Sequence, residues 1–250
     1  MKYNQSDIEY LKKYIKDNNL EDNYYQKCIQ ELETGKPIQY IIGNVDFYGN
    51  IINVNESVLI PRFETELLVE KTIKKSKEIF KDKKIDILDL GTGSGCIAIT
   101  LKKELNSNVD ALDISNDALE IAKQNANLNN VEINFINEDM TKYKEKRYDV
   151  IISNPPYIKY DEEIMEVVKN NEPHLALYAK DNGLYFYKHI INNIPYITKE
   201  KYLVCFEIGY LQADYIVDYA IKHLQDINII VDKDYSEKDR FIFITKESNK

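Results

Sequence analysis

Four consecutive residues near the middle of the chain, Asn154-Pro155-Pro156-Tyr157, have the types needed to hold a planar NH2 group. The side-chain oxygen of Asn154 and the carbonyl of Pro155 can each accept a hydrogen bond from one N–H of such a group. Consecutive prolines restrict the backbone and preset the directions of nearby carbonyls. The ring of Tyr157 offers a flat face for stacking an amide or a base. The tetrapeptide predicts a site for an amide or amino nitrogen, with a rigid loop containing an Asx turn as the alternative.

A glycine-rich turn, Gly91-Thr92-Gly93-Ser94-Gly95, separates a predicted strand (residues 85–90) from a predicted helix (residues 94–105). Glycines there allow positive φ angles and remove side chains, so that a ligand can lie against bare backbone. The N–H groups at the start of the helix favour a negative group. Taken alone, the pattern is equally compatible with an ordinary tight turn between a strand and a helix.

Two aspartates follow the neighbouring predicted strands. Asp113 ends the second strand, 22 residues after Gly91, where a carboxylate can accept hydrogen bonds from both hydroxyls of a ribose. Asp139 follows the third strand, where it can accept from the amino group of an adenine. Either could instead be a helix cap or a loop acid. Together with the glycine turn they mark the crevice where such sheets bind nucleoside ligands.

The glycine spacing discriminates between nucleoside cofactors. Dinucleotide sites have the spacing G-x-G-x-x-G, and nucleotide-hydrolysing P-loops have G-x-x-x-x-G-K-[ST]. The spacing G-x-G-x-G in this chain favours S-adenosylmethionine, whose carboxylate would lie at the helix start. An amide nitrogen is a poor nucleophile, and a neutral asparagine is not a strong base. Acceptors at Asn154 and Pro155 would therefore act by holding the nitrogen in line with the sulfonium methyl group and favouring the charge that develops.

Alternating strands and helices would position these residues. Strands are predicted at 85–90, 109–113, 131–136, 148–153 and 202–208, and helices at 94–105, 116–128, 183–197 and 211–224. Two further runs, 227–231 and 241–245, are close enough to form an antiparallel hairpin at the sheet edge. This order predicts an α/β fold with a mostly parallel, doubly wound, Rossmann-like sheet.

The residues before this alternation divide into two parts. Residues 1–35 predict a small domain of two short helices. Residues 36–60 contain the short apolar runs 38–42, 51–54 and 58–60, which predict a β-hairpin linker. The main domain then spans residues 61–250 and begins with a helix that ends near Phe80.

Composition narrows the class of protein. The formal net charge is -9 and no dense block of lysine and arginine occurs, which disfavours a nucleic-acid partner. Three scattered cysteines predict reduced thiols and a cytoplasmic location, and three histidines without a Cys-x-x-Cys predict no metal site. The sequence also lacks a run of 18 apolar residues, which disfavours a membrane partner.

Further segments narrow the resemblance to one family. With Asp89-Leu90 before the glycine turn, the Asn-Pro-Pro-Tyr tetrapeptide resembles class I methyltransferases that act on amide or exocyclic nitrogens. The chain from about residue 35 to 245 resembles the PrmC/HemK family of glutamine methyltransferases. That resemblance rests on Gly35-Lys36-Pro37-Ile38-Gln39-Tyr40-Ile41-Ile42-Gly43, Phe47-Tyr48-Gly49, Leu59-Ile60-Pro61-Arg62-Phe63-Glu64-Thr65-Glu66, Glu172-Pro173-His174-Leu175-Ala176-Leu177, Gly183-Leu184-Tyr185-Phe186-Tyr187 and Lys238-Asp239-Arg240-Phe241.

The resemblance implies methyl transfer from S-adenosylmethionine to the N5 amide nitrogen of glutamine in the Gly-Gly-Gln motif of peptide chain release factors. S-adenosylhomocysteine would be the product, and the protein would act as a monomer. Gly91, Thr92, Gly93, Ser94, Gly95 and Asp113 would hold the methionine and ribose parts, while Asp139 and Met140 would border the adenine. Asn154, Pro155, Pro156 and Tyr157 would bind the glutamine. Asn154, Pro155 and Tyr157 would be catalytic, and Asn154 would also border the cofactor.

Three departures and three alternatives accompany this interpretation. Phe63 replaces a proline usual in the family, Met140 replaces a tryptophan or leucine, and the helical segment before Lys36 is shorter than usual. One alternative is a nucleic-acid adenine N6-methyltransferase, because a flipped base presents the same NH2 group and flat ring. The others are a ribosomal-protein glutamine methyltransferase and a non-catalytic partner that binds an adenosine cofactor.

Overall fold

The computed structural model describes residues 4–247. Its helices are α1 (Gln5–Asp17), α2 (Asp22–Glu33), α3 (Ile38–Ile42), α4 (Phe63–Phe80), α5 (Cys96–Glu104), α6 (Asn116–Leu128), α7 (Glu166–Asn171), α8 (His174–Leu177), α9 (Tyr185–Ile197) and α10 (Ala213–His223). Its strands are β1 (Asn44–Phe47), β2 (Asn50–Asn53), β3 (Ile85–Leu90), β4 (Ser107–Asp113), β5 (Asn134–Asn137), β6 (Tyr148–Ser153), β7 (Thr198–Glu207), β8 (Asn228–Lys233) and β9 (Asp239–Lys246).

A seven-stranded sheet in the order β5-β4-β3-β6-β7-β9-β8 forms the centre of the molecule. The strands from β5 to β7 in this order are parallel, and β9 pairs antiparallel with both β7 and β8. Side chains of β3 alternate between two cores: Ile87 packs with α4 and α5, and Leu88 packs with α9 and α10. The structure therefore confirms the predicted α/β fold with a mostly parallel sheet and an antiparallel edge hairpin.

One predicted element is wrong. Residues 38–42, expected as an extended part of the hairpin, form helix α3, which begins after Pro37 and ends at Gly43 with φ 87°. A short apolar run does not by itself distinguish a strand from a buried helical turn. The hairpin is formed by β1 and β2 alone, with Asn44 opposite Asn53, and residues 58–60 lie outside any strand.

Smaller differences affect loops and element ends. The strand predicted at 131–136 is Asn134–Asn137, so Val131 and Ile133 pack against the core without pairing in the sheet. Helices α7 and α8 follow the Asn-Pro-Pro-Tyr segment and were not predicted, because each is under two turns long and has little periodic pattern. Between residues 4 and 247, no helix is both long enough and apolar enough to cross a membrane.

The hairpin packs firmly on the main domain. Phe47 and Ile52 are buried in the same core as α4 and α5. The buried side chain of Asn125 on α6 donates from Nδ2 to the carbonyls of Asn53 and Ser94, at 2.9 Å each, and accepts from the Asn53 amide at 2.8 Å. This single side chain connects the hairpin to the glycine turn, so the hairpin supports the predicted site.

The first two helices form a separate small core. Leu11, Cys28 and Leu32 pack there against Ile38 and Ile42 of α3. Helix α3 therefore joins this core to the hairpin that follows it. The hairpin shares its core with the main domain. The division of the chain at residues 35 and 60 stays a prediction.

Candidate active site

The carboxyl ends of β4, β3 and β6 lie side by side in the sheet and bring the predicted residues to one place. A cavity of about 290 Å³ opens there. Nine of the predicted site residues line it: Gly91, Thr92, Gly93, Ser94, Asp113, Asp139, Met140, Asn154 and Pro156. The proposed cofactor end and the proposed amide end therefore share a single cavity.

Predicted residues that do not line the cavity support its walls. Gly95 faces α6, and a Cβ at this position would lie 3.1 Å from the Ala122 Cβ. Gly95 therefore allows α5 to pack closely on α6. Pro155 is buried and Tyr157 is half-buried, and neither side chain is part of the cavity lining.

Most backbone amides of the glycine turn form hydrogen bonds within the protein, so the turn contributes mainly bare surface to the cavity. The amides of Gly91 and Thr92 both donate to the Leu112 carbonyl, at 2.8 and 3.0 Å, and the Gly95 amide donates to the Thr92 carbonyl at 2.9 Å. The amide of Gly93 donates to Asp113 Oδ2 at 2.9 Å. These four amides are already used within the protein, so a negative group of the cofactor would meet the Ser94 amide or the amides at the start of α5.

A side chain at position 91 would collide with Met140. A Cβ at this position would approach the Met140 Cε to 2.8 Å. The Met140 methyl group thus lies against the bare backbone of Gly91, and both residues line the cavity. The flexible apolar side chain of Met140 can adapt to a ligand placed beside it.

Asp113 is positioned by hydrogen bonds that leave acceptor capacity. Its Oδ2 accepts from Gly93 and its Oδ1 accepts from the Ser115 amide, both at 2.9 Å. Each carboxylate oxygen has a second lone pair, so both can still accept from a ribose diol. Burial raises the pKa of Asp113, although the two backbone donors favour its charged form.

A second aspartate lies directly before the glycine turn. Asp89 is fully buried, and its Oδ2 accepts a hydrogen bond of 2.6 Å from the Thr92 hydroxyl. Its Oδ1 is buried and has no hydrogen-bond partner among the residues that the structure describes. Burial raises the pKa of Asp89 to about 7, and the nearby charge of Asp113 adds to this effect. From the sequence, Asp89 is part of the segment that precedes the glycine turn, and no role for it is predicted.

Asp139 borders the cavity from the loop after β5. Its Oδ1 accepts from the amide and the hydroxyl of Thr141, at 2.9 and 2.7 Å, and thereby fixes the start of that loop. The surrounding carboxylates make this region negative, which suits S-adenosylmethionine with its sulfonium and ammonium charges. Among the side chains that the structure describes, no three from His, Cys, Asp or Glu are placed to hold a metal ion together.

Asn154 is fixed by a residue from a distant part of the chain. Its Nδ2 donates to the Thr65 hydroxyl at 3.1 Å, and this hydroxyl donates to Glu207 Oε2 at 2.7 Å. This bond directs the Asn154 NH2 group towards Thr65 and leaves Oδ1, the acceptor atom of the amide, for a ligand in the cavity. This orientation is compatible with the acceptor role that the sequence predicts for Asn154.

The rest of the tetrapeptide is held by its carbonyls and neighbours. Gln212 Nε2 donates to the Tyr157 carbonyl at 3.0 Å, and the Ile158 amide donates to the Leu177 carbonyl at 3.0 Å. The ring of Tyr157 lies against Gly209, where a Cβ would be 3.5 Å from Tyr157 Cδ2. The segment after β6 is thus held by Leu177 and by residues 209–212.

Several walls of the cavity are not predicted by the sequence motifs. These residues come from the segment between the hairpin and α4, from α8 with the residue before it, and from the start of α9: Ser57, Val58, Leu59, Pro61, Pro173, Leu175, Ala176, Tyr185 and Phe186. Glu172, which is buried, joins two of these walls because it accepts from the Ile60 amide at 3.2 Å and pairs with Arg62. Most of these residues lie in the segments that carry the family resemblance, which was the available signal.

The chain is similar to known methyltransferases. Residues 63–176 match the family described as "Methyltransferase small domain". The chain is 39% identical to the release factor glutamine methyltransferase of Bacillus subtilis over 239 residues. This alignment covers 92% of this chain and 83% of that protein. It is also 39% identical to the protein of the same name from Streptococcus pneumoniae over 227 residues. That alignment covers 90% of this chain and 80% of that protein.

A solved methyltransferase structure from Pyrococcus furiosus has the same fold, with a TM-score of 0.61 at 19% identity over 81% of this chain and 91% of that chain. The two curated relatives, each 39% identical over most of both chains, show that this protein is a methyltransferase. By its identity to the two curated relatives over most of both chains, this protein belongs to the release factor glutamine methyltransferase family.

Proposed function

We propose that this protein transfers the methyl group of S-adenosylmethionine to the N5 amide nitrogen of the glutamine in the Gly-Gly-Gln motif of peptide chain release factors. Family membership supports the substrate class. One observation carries the proposal: the Asn154 amide is oriented by Thr65 so that its oxygen is the free acceptor, in the same cavity as the glycine turn and Asp113.

The cofactor end of the cavity fits this group. Asp113 would accept from the ribose hydroxyls, Asp139 and Met140 would border the adenine, and the glycine turn would hold the methionine part. When bound, S-adenosylmethionine supplies the electrophilic methyl group.

The amide end of the cavity would position the nucleophile. Asn154 Oδ1 and the Pro155 carbonyl would each accept one N–H of the glutamine side chain. Acceptors on both hydrogens favour the positive charge that develops on the nitrogen during attack, without a strong base. Because these acceptors are fixed before the substrate arrives, little reorganisation is needed during the reaction.

The test is to incubate the protein with labelled S-adenosylmethionine and a purified release factor, then to locate the label by peptide mass spectrometry. We expect one methyl group on the Gly-Gly-Gln glutamine and none on the release factor with that glutamine replaced by alanine. Equal labelling of both proteins would exclude the glutamine assignment. Parallel reactions with ribosomal proteins and with adenine-containing RNA and DNA test the two alternative acceptors.

Asn154→Ala separates the two ends of the cavity. We expect this variant to lose methyl transfer, because the substrate NH2 group loses one of its two acceptors, while calorimetric affinity for S-adenosylmethionine is largely kept. Asn108→Ala is the matched control, because Asn108 lies in β4 at the opposite end of the sheet and bonds Asp86. Full turnover of Asn154→Ala would contradict the acceptor role.

A further inference from the structure

A chain of two hydrogen bonds connects Asn154 to a buried carboxylate. Asn154 Nδ2 donates to Thr65 Oγ1 at 3.1 Å, and Thr65 Oγ1 donates to Glu207 Oε2 at 2.7 Å. The three residues come from the loop after β6, the first turn of α4 and the end of β7. Thr65 and Glu207 are only 3% and 2% exposed, so the bond between them is shielded from water.

The chemistry of a hydroxyl sets the direction of this chain. A threonine hydroxyl has one proton. Burial raises the pKa of Glu207 to about 7, so above that pH the Glu207 carboxylate is ionised, can only accept, and takes the Thr65 proton. The oxygen of Thr65 can therefore only accept from Asn154, so the NH2 group of Asn154 must face Thr65. A reversed amide would place the Asn154 oxygen against an oxygen that has no proton to donate.

We propose that Thr65 and Glu207 are positioning residues that hold the Asn154 amide with its oxygen towards the substrate. This inference rests on the proposed function of Asn154 as an acceptor. The two ends of an asparagine amide have nearly the same shape, and only hydrogen bonding decides which end faces the cavity. The reversed amide would present a second NH2 group to the substrate NH2 group and would repel it.

The location of Glu207 is consistent with this role. A buried carboxylate is costly unless it is paired or strongly hydrogen-bonded. The positive charge of Arg240 favours ionised Glu207, but its Nε donates to Asp234 at 3.2 Å and its Nη1 donates to the Ile208 carbonyl at 2.9 Å. The hydrogen bond from Thr65 holds the Glu207 side chain, and it leads directly to Asn154.

The first test removes the hydroxyl without changing the shape of the side chain. We expect Thr65→Val to lower kcat about 10- to 100-fold, the loss typical when the partner that orients a binding group is removed. Affinity for S-adenosylmethionine should stay within about 2-fold, because Thr65 bonds only the amide end of the site. Thr65→Ser keeps a hydroxyl and should recover most of the turnover.

Thr72→Val is the matched control on the same helix. The Thr72 side chain is fully buried in α4, and its hydroxyl donates to the Leu68 carbonyl at 2.7 Å, away from Asn154. A general cost of removing a buried hydroxyl from α4 would appear in both valine variants as a lower unfolding temperature. Only Thr65→Val should lower kcat. Equal kcat values for Thr65→Val and wild type would overturn the proposal.

The second test reverses the polarity of the chain. In Asn154→Asp, Thr65 lies between two carboxylates and has one proton for both, so one acceptor stays unpaired. Adding Glu207→Gln supplies an N–H to the Thr65 oxygen and frees its proton for the introduced aspartate. The second oxygen of that aspartate can then accept from the substrate.

We expect the Asn154→Asp/Glu207→Gln double variant to exceed Asn154→Asp in kcat by at least about 10-fold, a coupling within the range for residues in one network. If Thr65 and Glu207 had a purely structural role, the double variant would have a lower kcat than either single variant. That result would refute the proposal. Failure of the proposed function is distinguishable, because wild type itself would then leave the release-factor glutamine unlabelled. The same variants would in that case be compared on the acceptor that wild type does methylate.

Discussion

Gly183 and the Tyr157 carbonyl are in such close contact that no side chain fits between them. A Cβ at Gly183 would lie 2.1 Å from the Tyr157 oxygen and 2.4 Å from Gln212 Nε2, which donates to that same oxygen. The backbone of Gly183 also has φ +83°, a conformation that glycine adopts readily. A glycine after the loop of α8 therefore sets the position of the Asn-Pro-Pro-Tyr segment.

Gly183→Ala should displace that segment. We expect a loss of turnover of about 10-fold or more, because a shift of about 1 Å in a positioning residue has effects of this size. Affinity for S-adenosylmethionine should change little, since Gly183 does not line the cavity. Steady-state kinetics and calorimetry measure the two effects.

Gly49→Ala is the control for backbone strain alone. Gly49 has φ +73° in the hairpin turn, but a Cβ there would have nothing within 4 Å. Both alanine variants should lose about 1–2 kcal/mol of stability from the left-handed backbone. If Gly49→Ala lowers turnover as much as Gly183→Ala, contact with Tyr157 is not the cause.

Much of this site could be predicted from the sequence because its residues directly follow strands. In a parallel sheet the carboxyl ends of neighbouring strands meet at one edge, so the positions of Gly91, Asp113 and Asn154 along the chain place them together. The type of each residue then indicates its chemistry. Asp139 also follows a strand and lines the cavity, although β5 begins three residues later than predicted.

Other features depend on tertiary contacts that no local pattern reveals. The bond between Thr65 and Asn154 joins residues 89 positions apart, and the bond between Thr65 and Glu207 joins residues 142 positions apart. Helix α3 was predicted as a strand because a run of five apolar residues fits both structures. Whether Gly95 lines the cavity or packs on α6 is likewise decided by the position of Ala122.

Asp113→Asn should weaken cofactor binding. The substitution removes the negative charge and one acceptor oxygen, while the hydrogen bonds to Gly93 and Ser115 need two acceptors. We expect a loss of about 1.5–3 kcal/mol in the binding free energy of S-adenosylmethionine, the usual size for a hydrogen bond to a charged group. Isothermal titration calorimetry gives this value directly.

Asp149→Asn is the matched control. Asp149 lies in β6 at the opposite end of the sheet from the cavity and accepts from the Asp86 amide at 2.8 Å and from Lys199 at 2.6 Å. Its substitution should alter stability but leave cofactor affinity unchanged. A similar loss of affinity in both variants would indicate a general effect of charge rather than a contact of Asp113.

Asp89 should make the stability of the cofactor-free protein depend on pH. Burial raises its pKa from 3.8 to about 7 in the folded protein. Below pH 4 the carboxyl is neutral in both the folded and the unfolded chain, and its burial has no charge penalty. Between pH 4 and 7 the unfolded chain ionises first, so the contribution of Asp89 to stability falls as the pH rises through about 7.

Asp89→Asn removes this titration, since an amide is neutral throughout. The free energy of unfolding of the variant relative to wild type should therefore increase between pH 4 and pH 8, by no more than about 4 kcal/mol. Urea unfolding at several pH values measures this difference. S-adenosylmethionine should reduce the difference by stabilising the wild type more than the variant at pH 8, because the cationic cofactor compensates the buried charge. A constant difference across this pH range would show that Asp89 is not the titrating group.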